Sequence, residues 1–142
     1  MNSRVLVSLQ FVAIIAIMIP KSSIMITSYW WVLPLVAILV ALWIFMHNRV
    51  GNFNVVPEIR DNAKLVVSGP YRYVRHPMYS ALILFMSGML LWHFNLINLL
   101  FLAIMIAAVG LKARKEEQLW SDHHEDYLAY KKATKIIIPF IF

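Results

Sequence analysis

Cysteine is absent from the chain, which excludes disulfides, thiolate nucleophiles and cysteine metal sites together. Charge is scarce: 14% of the 142 residues are charged, only seven of them acidic, against 61% hydrophobic. Such a chain cannot cover its apolar surface with polar side chains, so its solvent must be largely lipid, in keeping with a mean hydropathy of +0.71. No Gly-rich phosphate loop and no convincing metal-ligand cluster occur, so no metal is expected. The net charge of +6 would suggest nucleic acid for a soluble protein. Here the basic residues sit at the ends of apolar segments, and the expected partners are anionic lipid headgroups, with no nucleic acid.

What is present is a series of apolar runs. Val5 to Ile19, interrupted by Ser8 and Gln10, is slightly short for a hydrocarbon core of about 30 Å and would cross only with its flanks or by thinning the bilayer. It resembles a signal-peptide core behind Arg4, but the exit through Pro20-Lys21 lacks a small-residue cleavage site, so it is expected to be retained. A second run follows the interfacial anchor Tyr29-Trp30-Trp31 and ends near Met46, before His47 to Gly51. The third and fourth, Pro77 to Trp92 and Leu96 to Leu111, are joined by three residues and must form an antiparallel hairpin. Ser87-Gly88 suits close helix approach, and His93 reads as a satisfied interfacial residue. Beyond Leu111 strong helix formers carry one helix onward past Glu116 and Glu117, with Tyr127 and Tyr130 on a face of the same helix.

The expected fold class is therefore an all-α integral membrane protein with about four transmembrane helices. It forms a single domain over 1–142, with residues 1–52 supplying two scaffold spans and residues 53–142 the functional core. With four spans, Lys21 stands alone on one side among the 13 Lys and Arg. The positive-inside rule then places the N-terminus, the loop from His47 to His76 and the C-terminal segment in the cytoplasm.

Chemistry-bearing residues concentrate between Ser68 and Tyr79. Gly69-Pro70 marks a turn, and Pro77 suits the first turn of a helix, where a missing N–H costs nothing. Tyr71, Tyr73, Arg75, His76 and Tyr79 would gather at that helix mouth, beside free backbone amides that favour negative charge. The residues alone leave two readings open. One is a pocket for a ligand with an aromatic and an anionic part; the other is an interface belt, with rings at headgroup depth and cations snorkelling. Glu116-Glu117 can likewise be a solvated helix face neutralised by Lys112, Arg114 and Lys115.

The ordered combination of Gly69-Pro70-Tyr71, Arg75-His76-Pro77-x-Tyr79, Glu116-Glu117 and Tyr127-x-x-Tyr130 resembles the integral-membrane methyltransferases of the isoprenylcysteine carboxyl methyltransferase and phospholipid N-methyltransferase group, over Phe53 to Phe142. The resemblance implies S-adenosylmethionine as cofactor, in a pocket formed by the cytoplasmic C-terminal helical segment. It implies binding by Tyr71, His76, Pro77, Met78 and Tyr79, by Glu116 or Glu117, and by the backbone of Lys64, Leu65 and Val66. The acceptor would be a lipophilic small molecule or lipid, such as an isoprenylcysteine-like carboxylate or a lipid amine, with Arg75 or Arg114 pairing with any anionic group on it. Methyl transfer from a sulfonium depends on alignment and water exclusion, so no catalytic residue is assigned. Two positions depart from the family pattern: Ala81 replaces a frequent Gly, and His123-His124 replaces Phe-Gly. A reductase of the sterol-reductase type using a reduced nicotinamide dinucleotide, and a non-enzymatic lipid-binding subunit, are the alternatives.

Overall fold

Each apolar run becomes a helix, in which the backbone satisfies its own hydrogen bonds whatever apolar surroundings the side chains meet. The computed structural model describes residues 2–19, 21, 23–48, 65–123 and 126–138, and over these it is all-helical. The α-helices are α1 (Ser3–Met18), α2 (Val32–His47), α3 (Pro77–Trp92), α4 (Leu96–His123) and α5 (Asp126–Ala133), with one 3-10 turn at Gly69–Arg72. The charged segment ahead of that turn, with Lys64, lies outside the described residues.

Helix boundaries follow local chemistry. α1 opens before Val5 because the Asn2 side chain accepts the Arg4 N–H at 3.1 Å, capping the first turn. α3 starts at Pro77 as expected. α4 continues well beyond Leu111, for 28 residues in all. The expectation that Tyr127 and Tyr130 belong to that same helix is corrected: they lie on a separate helix, α5. There Tyr127 stacks on Trp120, ring centroids 6.1 Å apart, and the Tyr130 hydroxyl donates to the Tyr71 carbonyl at 2.6 Å. Packing and hydrogen bonding with earlier parts of the chain thus hold α5 in place; residues 124 and 125, between it and α4, lie outside the described residues.

In the bundle α2 lies along α3, α1 lies along α4, and α3 meets both α4 and α1. The α2–α3 contact is close at Gly88, where a Cβ would meet Pro34 at 2.2 Å, so the small residue has the role its position suggests. Ala13, Ile17, Met86, Met89, Leu90, Leu102 and Met105 form the buried core. Outside it the surface is apolar: Phe11, Ile15, Leu39, Phe45 and Leu100 are exposed, and Met46 is 81% exposed. An apolar coat of this extent is suited to lipid. α4 is long and apolar enough to cross a membrane, whereas α1, α2 and α3 are apolar helices of 16 residues.

The two ends of the bundle differ. At one end Lys115 donates to Ser3 at 3.4 Å and Asn48 to the Tyr71 hydroxyl at 2.8 Å, gathering the start of α1, the end of α2, the 3-10 turn and the polar half of α4. At the other, Ile24 and Phe94 pair through an antiparallel bridge and Trp30 stacks on Trp92 at 4.5 Å.

Candidate active site

The turn that carries the site is fixed by sterics. Gly69 has φ +60°, and a Cβ there would lie 2.4 Å from the His47 ring. Glycine is therefore required both for the left-handed conformation and for contact with α2. The chain then passes through Tyr71 and Tyr73 to Val74, which forms a parallel bridge with Lys135. Arg75 N–H donates to the Lys135 carbonyl at 2.8 Å and His76 N–H to the Ile136 carbonyl at 3.0 Å. These two amides, just ahead of α3, are thus engaged and do not receive an anion; within the first turn the Tyr79 N–H donates to the His76 carbonyl at 3.0 Å. A buried donor without a partner is costly, and the segment after α5 supplies the acceptors.

The motif segments meet, and what they build is a buried charge cluster. Arg75 Nε donates to Glu117 Oε1 at 2.6 Å, both side chains nearly inaccessible, and Arg75 Nη1 reaches the carbonyls of Lys131 at 3.0 Å and Thr134 at 2.5 Å. Lys131 Nζ is 3.2 Å from Glu117 Oε2. Glu116, less buried, accepts from the Tyr79 hydroxyl at 2.7 Å and lies 3.2 Å from His76 Nδ1. The His76 ring stacks on Tyr79, centroids 5.5 Å apart. Its Nε2 is buried without a hydrogen-bond partner among the described residues, 3.7 Å from Glu117. Burial opposes charge on this ring, but the two carboxylates outweigh it and raise the His76 pKa above its ordinary value. Burial also pushes the Tyr71 phenol up to about 12, with the Asn48 bond acting against it.

The candidate residues therefore separate into groups. Tyr79, His76, Glu116, Glu117 and Arg75 converge. Tyr71 stands at the edge, joined to α2 through Asn48 and to α5 through Tyr130. Pro77 is buried at the head of α3. Leu65 and Val66 are half-buried in irregular chain leading to Ser68. Met78 lies away from the cluster, exposed and lining a small apolar groove with Ala37, Phe45 and Phe85. Tyr73 also turns away, toward Trp43 at 6.5 Å. The side chain of His123, and His124, fall outside the described residues.

Sequence reasoning missed several members of this end. Thr134 and Lys131 hold Arg75 through their carbonyls, which no side-chain pattern reveals. Lys112, buried, places its ammonium 5.3 Å from the Tyr79 ring centre and donates to Gln10 of α1 at 2.9 Å. The readable signal was Gln10 itself, a polar residue in an otherwise apolar run.

Beside the cluster, on the other side of the first turn of α3, lies an apolar cavity of about 1090 Å³. Pro77, Ser80 and Ala81 of α3 form one wall, Trp43 and Val40 of α2 another, Gly110 and Leu111 of α4 a third, and Ile136 to Ile138 close it. Arg114, exposed, is the one charged residue in its lining among the described residues. Arg75 is not part of that lining; its guanidinium is engaged in the buried cluster.

A cofactor such as S-adenosylmethionine presents an adenine ring, ribose hydroxyls, an ammonium and a carboxylate. The cluster offers matching chemistry: a partly accessible carboxylate in Glu116, aromatic rings in Tyr71 and Tyr79, and the orphaned His76 Nε2. The residues present fit such a group. Comparison with protein-family models matches residues 30–121 to the isoprenylcysteine carboxyl methyltransferase (ICMT) family. The matched range takes in α2, α3 and α4 as far as Ser121 and leaves α1 and α5 outside. Comparison with curated proteins finds no match.

Proposed function

This chain belongs to the isoprenylcysteine carboxyl methyltransferase family, a family of membrane methyltransferases, and on that premise we propose that it transfers a methyl group from S-adenosylmethionine to a lipophilic carboxylate. The observation that carries the reading is the 2.7 Å bond from Tyr79 to Glu116. It joins the two motif segments, 37 residues apart, into one polar site beside an apolar cavity.

When bound, the cofactor supplies an electrophilic methyl on a sulfonium. Glu116 would accept from its ribose or ammonium, Tyr71 and Tyr79 would contact its ring, and His76 would meet its carboxylate. Glu117, already paired with Arg75 and Lys131, serves instead to hold the His76 loop, α4 and α5 together. Arg75 is accordingly a positioning residue in this reading, and Arg114 is the residue that meets the acceptor. A carboxylate acceptor is ionised and nucleophilic at neutral pH, so no general base is required. The positive Arg114 at the rim of an apolar cavity is complementary to such a molecule, and less so to a lipid amine.

The apolar coat further supports four crossings by α1 to α4, with the site-bearing end cytoplasmic, where the cofactor is available. At 1.5 Å per residue the 16-residue helices span about 24 Å, so their flanks or a thinned bilayer complete the crossing. The decisive experiment is equilibrium binding of S-adenosylmethionine to detergent-purified protein. Glu116→Gln is expected to weaken it about 10- to 100-fold, the scale of a lost charge-assisted hydrogen bond, while the protein stays folded. Wild-type protein that binds only a reduced nicotinamide dinucleotide, or neither ligand, would overturn the reading.

A further inference from the structure

Three glycines lie among the described residues, and two have a local steric reason. Gly69 combines a positive φ with the nearby His47 ring, and Gly88 is pressed against Pro34. Gly110 has neither: among the described residues a Cβ there would meet nothing within 4 Å. It sits inside α4, where glycine is less favourable than alanine because of its backbone freedom. Helix–helix contact does not account for it. What faces it is the apolar cavity.

We infer, resting on the reading of that cavity as the acceptor site, that Gly110 is a specificity-determining position that keeps room for the acceptor's hydrocarbon chain, and that this face of α4 measures chain length. Ile106, Gly110 and Arg114 recur every four residues along α4 and all line the cavity, as does Ala107. At 1.5 Å rise per residue, Gly110 is about 6 Å and Ala107 about 10 Å along the axis from Arg114. An occupant whose carboxylate pairs with Arg114 lays its chain along this row, opposite Ile83, Leu84 and Ser87 of α3. The occupant fixed by this charge and lining is a single hydrocarbon chain ending in a carboxylate. A side chain at 110 would obstruct it near the head, and one at 107 a turn deeper.

The test uses the full chain in detergent with S-alkyl mercaptoacetates of graded chain length. Radiolabelled methyl transfer from S-adenosylmethionine is measured, and so is equilibrium binding of the same carboxylates. Gly110→Leu is expected to lose about tenfold or more in kcat/KM on long chains, through KM, with short chains and cofactor binding unchanged. Ala107→Leu should set its cut-off at longer chains than Gly110→Leu. Gly110→Ala, which adds one methyl and favours the helix, should fold at least as well as wild type and shift the preference less. Equal losses at every chain length, or the same cut-off in both leucine variants, would overturn the inference while wild-type turnover leaves the methyltransferase reading standing. Should wild-type protein methylate none of these carboxylates, the acceptor reading fails. The binding series then decides separately: cut-offs that move with position 110 or 107 support the inference, and their absence overturns it.

Discussion

Each end of the bundle is closed by a buried polar device and a backbone bridge, yet the two are built to different ends. Away from the site, Lys21 donates to the Ala16 carbonyl and, at 2.8 Å, to the fully buried Asn98, whose amide in turn donates to the His93 carbonyl at 2.8 Å. One cation, one amide and two carbonyls match each other, and the arrangement ties α1 to the α3–α4 turn. At the other end, two carboxylates, an arginine, two lysines, an imidazole and several phenols crowd together, and one buried ring nitrogen lacks a hydrogen-bond partner among the described residues. Closure alone does not require so many ionisable groups. The far end shows what holding helices together takes; the excess at the site end is what the proposed binding would use.

That contrast can be broken most severely at Glu117. Glu117→Gln, or Arg75→Met, strips one member from a buried pair, and a loss of about 3–5 kcal/mol is expected, read as a large fall in the thermal unfolding midpoint in detergent. The double variant should recover part of that loss, because no lone charge then remains buried. Glu116→Gln, a few Å away, should instead spend its effect on cofactor affinity. At the far end Asn98→Leu removes neutral and charge-assisted bonds and should cost about 1–3 kcal/mol, with S-adenosylmethionine affinity unchanged. A matching fall in affinity would show that the two ends are coupled and the contrast false.

The mildest probe is pH. The folded-state pKa of His76 lies above its ordinary value of 6.5. Its contribution to stability is therefore complete below about 6.5 and fades as pH rises through the folded-state value. Wild-type protein should lose stability over that interval, and His76→Gln should flatten the dependence. No such dependence is expected from the far end, so an unchanged slope in His76→Gln would assign it to another group.

Much of this was legible in the sequence, for identifiable reasons. Hydropathy and the hairpin length specify α3 and α4, and Pro77 marks where α3 begins, because each is a local consequence of residue type. The pairing of Tyr79 with Glu116 was accessible only as a resemblance, since nothing local says that residues so far apart meet. That Tyr127 and Tyr130 lie on a helix of their own was not legible because the contacts that place it are with Trp120 and Tyr71 rather than within the helix. The backbone acceptors of Arg75 and His76 were not legible for a similar reason: they are carbonyls some 60 positions downstream, and a carbonyl carries no side-chain signature. The openness before Gly110 was invisible too, because a glycine in a sequence does not reveal whether it makes room for a neighbour or for a ligand.

The bridge between Val74 and Lys135 also bears on timing. The apolar helices are translated first and can partition into the bilayer as they emerge, but the loop bearing His76 gains its backbone acceptors only when Lys135 and Ile136 have been made. Ile136 to Ile138 likewise finish the cavity. A chain that has not yet reached this segment has its apolar helices but neither those acceptors nor that wall, so the candidate site is completed only after the helices that flank it.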